Sequence, residues 1–430
     1  MVYGAGSGRA TGIPTYQGIL DIIVTGGSIS SIYGSGSAAY VVSGEDATKV
    51  NISVSAGTVG NIYAAGVGGE AGVDGGNDVN GTPAADFGSL TGKADITIDN
   101  DAVITGNIYA SGQGYTQKDY GKGNAYLDGE ANITVNGGTI KGNIYGGGEG
   151  VNKAGFEKSA RVCKNSKVTV EIKGGLIEGY VYGGGKVAEV EGSTNVIISG
   201  GTIKGNVYGG GEAGLTHGRA AVHMANGTVN GSIYGGALGK VGDRFVYGGS
   251  TVNMTGGWVR GNVYGGSELS NDGKSGEQDE KSASGLVFVN LTGGTVSGKV
   301  FGGGFQGIVN GSTHVHIGLG AIDKCNYYKS HAEEKPVLDA SGLSVGGSVY
   351  AGGDYGGDSA DLNYDTITVN GFSHVYIDGT DYSFGAGDTG GKKMEIAGGV
   401  FGSGASCDAG DVRLVTLDHF GAAASGGGQP

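Results

Sequence analysis

An His-x-His pair, two clusters of acids and a recurring Asn–Tyr phrase are the groups in this sequence whose types and spacing could do chemistry. His314 and His316 flank Val315, so both imidazoles fall on one face of a strand, the arrangement from which a metal site can start. Residues 309–318, VNGSTHVHIG, match 369–378, VNGFSHVYID, which puts His374 in the place of His314. The same slots in 192–200, GSTNVIISG, hold Asn195 and Ile197. No third ligand is assignable, so a solvated strand face is the plain expectation for the histidines.

The acids gather elsewhere. Asp354, Asp358, Asp361 and Asp365 crowd one stretch, with Asp378, Asp381 and Asp388 nearby, and Glu70, Asp74 and Asp78 form a second group. Carboxylates among glycines can build oxygen-only Ca²⁺ loops. Neither stretch has the spacing of the GGxGxD nonapeptide or of an EF-hand, so solubilising loop charge is expected and Ca²⁺ is the one cofactor candidate. Hydrolytic or eliminative cleavage of a polysaccharide needs two or three carboxylates, or a carboxylate with Arg or Lys, on neighbouring strands. Arg9, Arg161, Arg219, Arg244, Arg260 and Arg413 fall at unrelated positions, and no acid pair recurs at matching places. Catalysis therefore stands behind binding or scaffolding, and a shallow polar surface without an acid-lined cleft is expected.

These groups ride on a repeat. GGTIKGNVYGGG at 200–211 recurs as GGTIKGNIYGGG at 137–148, GGLIEGYVYGGG at 174–185, NGTVNGSIYGG at 226–236, GGWVRGNVYGG at 256–266 and GGTVSGKVFGGG at 293–304. Its aromatic anchors are Tyr3, Tyr33, Tyr63, Tyr109, Tyr145, Tyr182, Tyr208, Tyr234, Tyr264, Phe301, Tyr350 and Phe401, with a shortest spacing of 26 residues. Self-similar arrays of this kind are solenoids whose units bury their faces on one another. Each unit carries an alternating apolar stretch, such as Val168, Val170 and Ile172, and a second one in the phrase itself, such as Ile203 and Val207. No gap shows a helical apolar pattern. About 26 residues with short strands joined at glycine corners is the size of one coil of a parallel β-helix, and about twelve coils at strand spacing give a rod somewhat under ~60 Å long.

Glycine has a place in this scheme. The chain holds 98 Gly and only 4 Pro, which excludes collagen packing. The pairs Gly200–Gly201 and Gly209–Gly210 are expected to supply at least one φ > 0 each, as tight bends require. Asn61, Asn107, Asn143, Asn206 and Asn262 precede the Val/Ile–Tyr pair, so their amides could hydrogen-bond along the solenoid axis as a ladder. Tyr145, Tyr182, Tyr208, Tyr234 and Tyr264 would stack likewise, on a face that the sequence leaves open, and a structural ladder is the expected role of both sets. Insertions mostly follow the Tyr-Gly-Gly triplet, so loops at 64–93, 110–130, 148–166, 267–284 and 351–365 should line one side of the rod and form its recognition surface.

The balance of 41 acidic against 27 basic residues gives a net charge of −14, which argues against nucleic acid as a partner. No apolar run is long enough to enter a bilayer as a helix. Cys163, Cys325 and Cys407 are odd in number and far apart, so they imply no disulfide framework and read as incidental thiols. Residues 1–410 form one repeat domain, and 411–430 a C-terminal strand and linker tail. The half phrase Val-Tyr-Gly-Ala-Gly directly after Met1 and the tail ending AAASGGGQP suggest a segment of a longer protein.

The GG-T/S-I/V-x-G-N-I/V-Y-G-G-G repeats, over roughly residues 2–404, resemble those of large glycine-rich extracellular bacterial proteins, the adhesin-like and autotransporter-passenger polypeptides. That resemblance implies an all-β, right-handed parallel β-helix, export, and a cell-surface or matrix location. The function expected is a structural stalk or adhesive surface whose partner is a host or matrix glycan, a host protein or another copy of itself. A polysaccharide-degrading β-helix enzyme, a lyase or glycosidase, is the alternative.

Overall fold

The computed structural model of the chain describes residues 1–5, 15–36, 40–41, 49–68, 88–114, 125–152, 159–163, 166–239, 244–273, 285–354, 369–379, 393–405 and 412–418. These form an all-β structure dominated by one sheet whose strand pairings are parallel. Strands adjacent in that sheet come from successive copies of the repeat. Ile144 pairs with Val181, and the column continues through Val207, Ile233, Val263, Val300, Val349 and Val400. The alternating stretch supplies a second column: Ile96, Ile133, Val170, Val196, Val222, Val252, Val289, Val315 and Val375. Both columns enter one aliphatic core that runs from Val24 to Met394.

The register follows from the period-2 rule. A slip of one residue would carry Val168, Val170 and Ile172 to the outside and Thr169 and Glu171 into the core, so burial holds each strand in place. Within the phrase, Val207 and Tyr208 are neighbours and point to opposite faces, yet both are buried. Val207 enters the aliphatic core, whereas Tyr208 joins a separate aromatic cluster. The chain beyond the glycine triplet covers that cluster, with Val67, Leu238, Phe305 and Ala405 packed on it.

The two glycine pairs act differently. Gly201 has φ +75°, as expected of a bend. Neither Gly209 nor Gly210 has positive φ, contrary to the expectation for that pair. Their requirement is space: a Cβ on Gly209 would lie 2.2 Å from the carbonyl oxygen of Gly235 in the next coil, and one on Gly210 would lie 2.9 Å from Ala237 Cβ.

Helix is present where none was expected. Helices α1 (Leu319–Lys324) and α2 (Asn326–Ser330), followed by a 3₁₀ turn over Ala332–Glu334, sit between the strands Thr313–Ile317 and Leu343–Val345. Six and five residues are too few to show a 3.6-residue apolar period, and helices this short persist only through tertiary packing. Here Ile322, Cys325, Tyr327 and Tyr328 pack with Leu286 and Phe288, and Lys324 Nζ lies 3.0 Å from Asp378 Oδ2. The strand Val412–Asp418 pairs in parallel with Ser373–Asp378.

Candidate functional site

At the Asn–Tyr corner the rings stack with centroids 4.7–5.0 Å apart from Tyr33 to Phe301, and the series reaches Tyr3 at one end and Tyr350 and Phe401 at the other. Tyr145, Tyr182, Tyr208, Tyr234 and Tyr264 are all buried in it. The asparagines do not bond amide to amide. Each Oδ1 accepts a backbone N–H from the next coil: Asn61 from Asn107 (2.8 Å), Asn107 from Asn143 (2.7 Å), Asn143 from Tyr180 (2.8 Å), Asn206 from Ser232 (2.9 Å) and Asn262 from Lys299 (2.8 Å). Because the donor is a backbone N–H, the donating position can be Tyr, Ser or Lys. The Nδ2 of Asn107, Asn143, Asn206 and Asn262 donates to the hydroxyl of the tyrosine two residues on, at 2.9–3.1 Å.

Five hydroxyls of the stack donate onward to a residue four places after a later tyrosine. Tyr33 reaches Gln113, Tyr63 reaches Glu149, Tyr145 reaches Glu212, Tyr208 reaches Glu268 and Tyr264 reaches Asp354. Burial, reinforced by these carboxylates, pushes Tyr63, Tyr145 and Tyr208 far above the ordinary phenol range, so they stay protonated donors. Asp354 is thereby a partner of this stack. The other Ca²⁺ candidates, Asp358, Asp361 and Asp365, lie outside the described residues, as do Glu70, Asp74, Asp78, Asp381 and Asp388. The stems of several insertions leave from this corner in parallel bridges, Val67 to Gln113, Gln113 to Glu149, Glu268 to Phe305 and Phe305 to Asp354, while much of each loop lies outside the described residues.

The chemically richer site is on the outer face beneath α1 and α2. Two side-chain columns cross it. One runs Thr251, Phe288, His314 and His374, and the other His223, Asn253, Asn290, His316 and Tyr376. The expectation that His314 and His316 face solvent is overturned: His314, His316 and His374 are buried, because the helices cover the strands that carry them. Phe288, His314 and His374 stack at 4.9 and 4.8 Å. Burial and the neighbouring imidazoles hold His314 well below the usual histidine range, and burial with His374 brings His316 down to about 3. Both rings are neutral.

A directional hydrogen-bond chain runs along the second column. His316 Nδ1 lies 2.6 Å from Asn290 Oδ1, Asn290 Nδ2 donates to Asn253 Oδ1 at 2.7 Å, and Asn253 Nδ2 lies 3.1 Å from His223 Nδ1. With both amides set this way, His316 Nδ1 is the protonated nitrogen and Nε2 carries the lone pair. Nε2 is buried without a hydrogen-bond partner. Cys325, at the junction of the helices, places Sγ 3.9 Å from His314 Nδ1. Burial pushes its thiol up, against the opposing pull of the Tyr328 and Tyr327 backbone N–H groups and the Lys329 charge. Cys325 thus brings a third potential ligand atom beside His314 and His316, which the sequence does not reveal. Its only signal is a cysteine eleven residues after His314, beyond one helix too short to recognise.

Beside this cluster the outer face opens into a cavity of about 350 Å³, whose walls include Arg219, Thr251, Phe288, Tyr328 and Glu334. The surface is therefore not uniformly shallow. Arg219 donates from Nη1 to Thr251 Oγ1 at 3.0 Å and lies over the Phe288 ring, while its Nη2 is buried without a partner. Among the described residues, Glu334 is the only carboxylate lining this cavity. No known protein family, curated protein or solved structure matches the chain.

Proposed function

We propose that this chain is a right-handed parallel β-helix of a bacterial cell-surface or secreted protein, acting as a structural stalk and adhesive surface. The reading rests on one observation above the others: residue columns stay in parallel register, coil on coil, from Tyr3 to Phe401, with an aromatic stack along one corner. Such stacking builds a stiff rod without needing a convergent catalytic centre. The partner in this reading is a glycan, a host protein or a second copy of the chain, presented to the loop-bearing corner or the helix-flanked cavity. Arg219, with an unspent donor beside Phe288 and Tyr328, suits a carboxylate-bearing sugar, since guanidinium groups bind carboxylates and aromatic faces pack on sugar rings.

The cavity also favours a second reading, a polysaccharide lyase or glycosidase, for which a cationic side chain in a cleft is a starting point. Incubation of the purified chain with pectins, alginates and glycosaminoglycans separates the two. Retention of a uronate polymer without new reducing ends or unsaturated uronides, weakened at least tenfold by Arg219→Ala, is the expected result. Turnover that disappears on Glu334→Gln would replace the stalk with an enzyme.

A further inference from the structure

We propose that His314, His316 and Cys325 form a binding site for a thiophilic divalent cation of the zinc class, which ties the helical segment to the outer face of the sheet. One ligand atom from each residue lies within 4.8 Å of the other two, and all three residues are buried. Tetrahedral zinc with Zn–S near 2.3 Å and Zn–N near 2.0–2.1 Å sets S···N at about 3.6 Å. The observed Sγ···Nδ1 separation of 3.9 Å reaches that value by a small side-chain rotation. Two histidines and a cysteine form a zinc-type donor set, and three protein ligands leave a fourth position for water or an outside ligand.

The ligand nitrogen of His316 is prepared from outside the site. The Asn253–Asn290 chain puts the proton on Nδ1 and leaves Nε2 as a buried lone pair without a partner. In metal sites the second nitrogen of a ligating histidine is held in this way by an acceptor. A buried polar atom left unsatisfied is costly, and a cation would supply the missing interaction. Along the same column the preceding coils carry His223, Asn253 and Asn290, so the hydrogen-bond chain spans four coils and ends at the proposed ligand. His314 also lines a second cavity of about 310 Å³ together with Tyr327, His331 and His374, which gives ion and water a route in. On ligation the Cys325 Sγ–H bond breaks, its electron pair binds the cation, and the proton leaves to solvent.

The test uses the full chain, stripped with a chelator and titrated with Co²⁺ as the probe. One equivalent of tetrahedral cobalt, showing intense d–d absorption and a thiolate-to-cobalt charge-transfer band, is expected. Cys325→Ser should abolish the charge-transfer band, and Cys163→Ser should leave it intact. Asn290→Ala, which touches no metal, should weaken affinity by about 10–100-fold, the range for loss of an outer hydrogen bond. Far-UV circular dichroism of each variant identifies any that has lost its fold, and Asn290→Ala then carries the test in place of Cys325→Ser. Absence of the charge-transfer band in the folded wild-type chain, or a band that survives Cys325→Ser, overturns the site. Neither result bears on glycan retention by the Arg219 cavity.

Discussion

Asp272 shows how one residue's surroundings become a pH dependence. Its carboxylate accepts from the Ser267 backbone N–H at 2.8 Å and the Ser267 hydroxyl at 2.7 Å, but full burial dominates and pushes it up to about 7. An acid whose folded value is raised binds its proton more tightly in the native state. Its contribution to stability is therefore complete below the unfolded value near 3.8 and is lost as pH rises through about 7. At about 1.4 kcal/mol per pH unit the loss has an upper limit of roughly 4 kcal/mol. Asp272→Asn should flatten the denaturation free energy between pH 4 and 7 relative to wild type, and parallel profiles for the two proteins would refute the assignment. Tyr208→Phe is a second test at this scale. It strips the donor from Glu268 and the acceptor from Asn206, and should cost about 1–3 kcal/mol in urea unfolding with little change in m. The identity of these side chains and their two-residue spacing were legible in the sequence. The direction of their hydrogen bonds was not, because Asn206 bonds a backbone N–H in another coil and Glu268 is sixty residues from Tyr208.

At the scale of elements, the short strands are held by burial and by backbone fit. Val207→Asp places an unpaired charge in the aliphatic core and should cost about 4 kcal/mol or more, measured as a fall in the denaturation midpoint. Gly209→Ala should cost about 1–3 kcal/mol because its methyl would overlap the Gly235 carbonyl, a clash that backbone conformation cannot relieve. Full retention of stability in Gly209→Ala would show that adjacent coils can move apart. The strands were legible because period-2 alternation and the repeat reinforce each other. The helices α1 and α2 were not, since eleven residues divided between two helices leave no periodic trace and depend on Phe288 and Leu286 beneath them.

For the whole molecule, contacts reach chiefly to the coils before and after, which makes the stack close to one-dimensional. Damage should then stay local. Hydrogen exchange in Val207→Asp should accelerate in the coils containing Tyr182, Tyr208 and Tyr234 and remain near wild type around Ile96 and Val375. Uniform loss of protection along the chain would instead mark a single cooperative unit. Length also sets the value of the helical segment: it covers one patch of outer face and leaves other coils, such as that bearing Thr169 and Glu171, with partly exposed outer strands.

The sequence by itself determined the repeat, the positions of the strands and the residues that stack, because these depend on local alternation and on spacing that recurs. It also located the insertions after the glycine triplet. Only the tertiary structure decided that the tyrosines are buried, that Gly209 is needed for space rather than for a bend, and that His314 and His316 lie under a helical cover with Cys325. Each of those outcomes depends on what the neighbouring coil or the covering segment brings to within a few ångströms. Burial, satisfaction of polar groups and ligand convergence are properties of such contacts, and no single stretch of chain contains them.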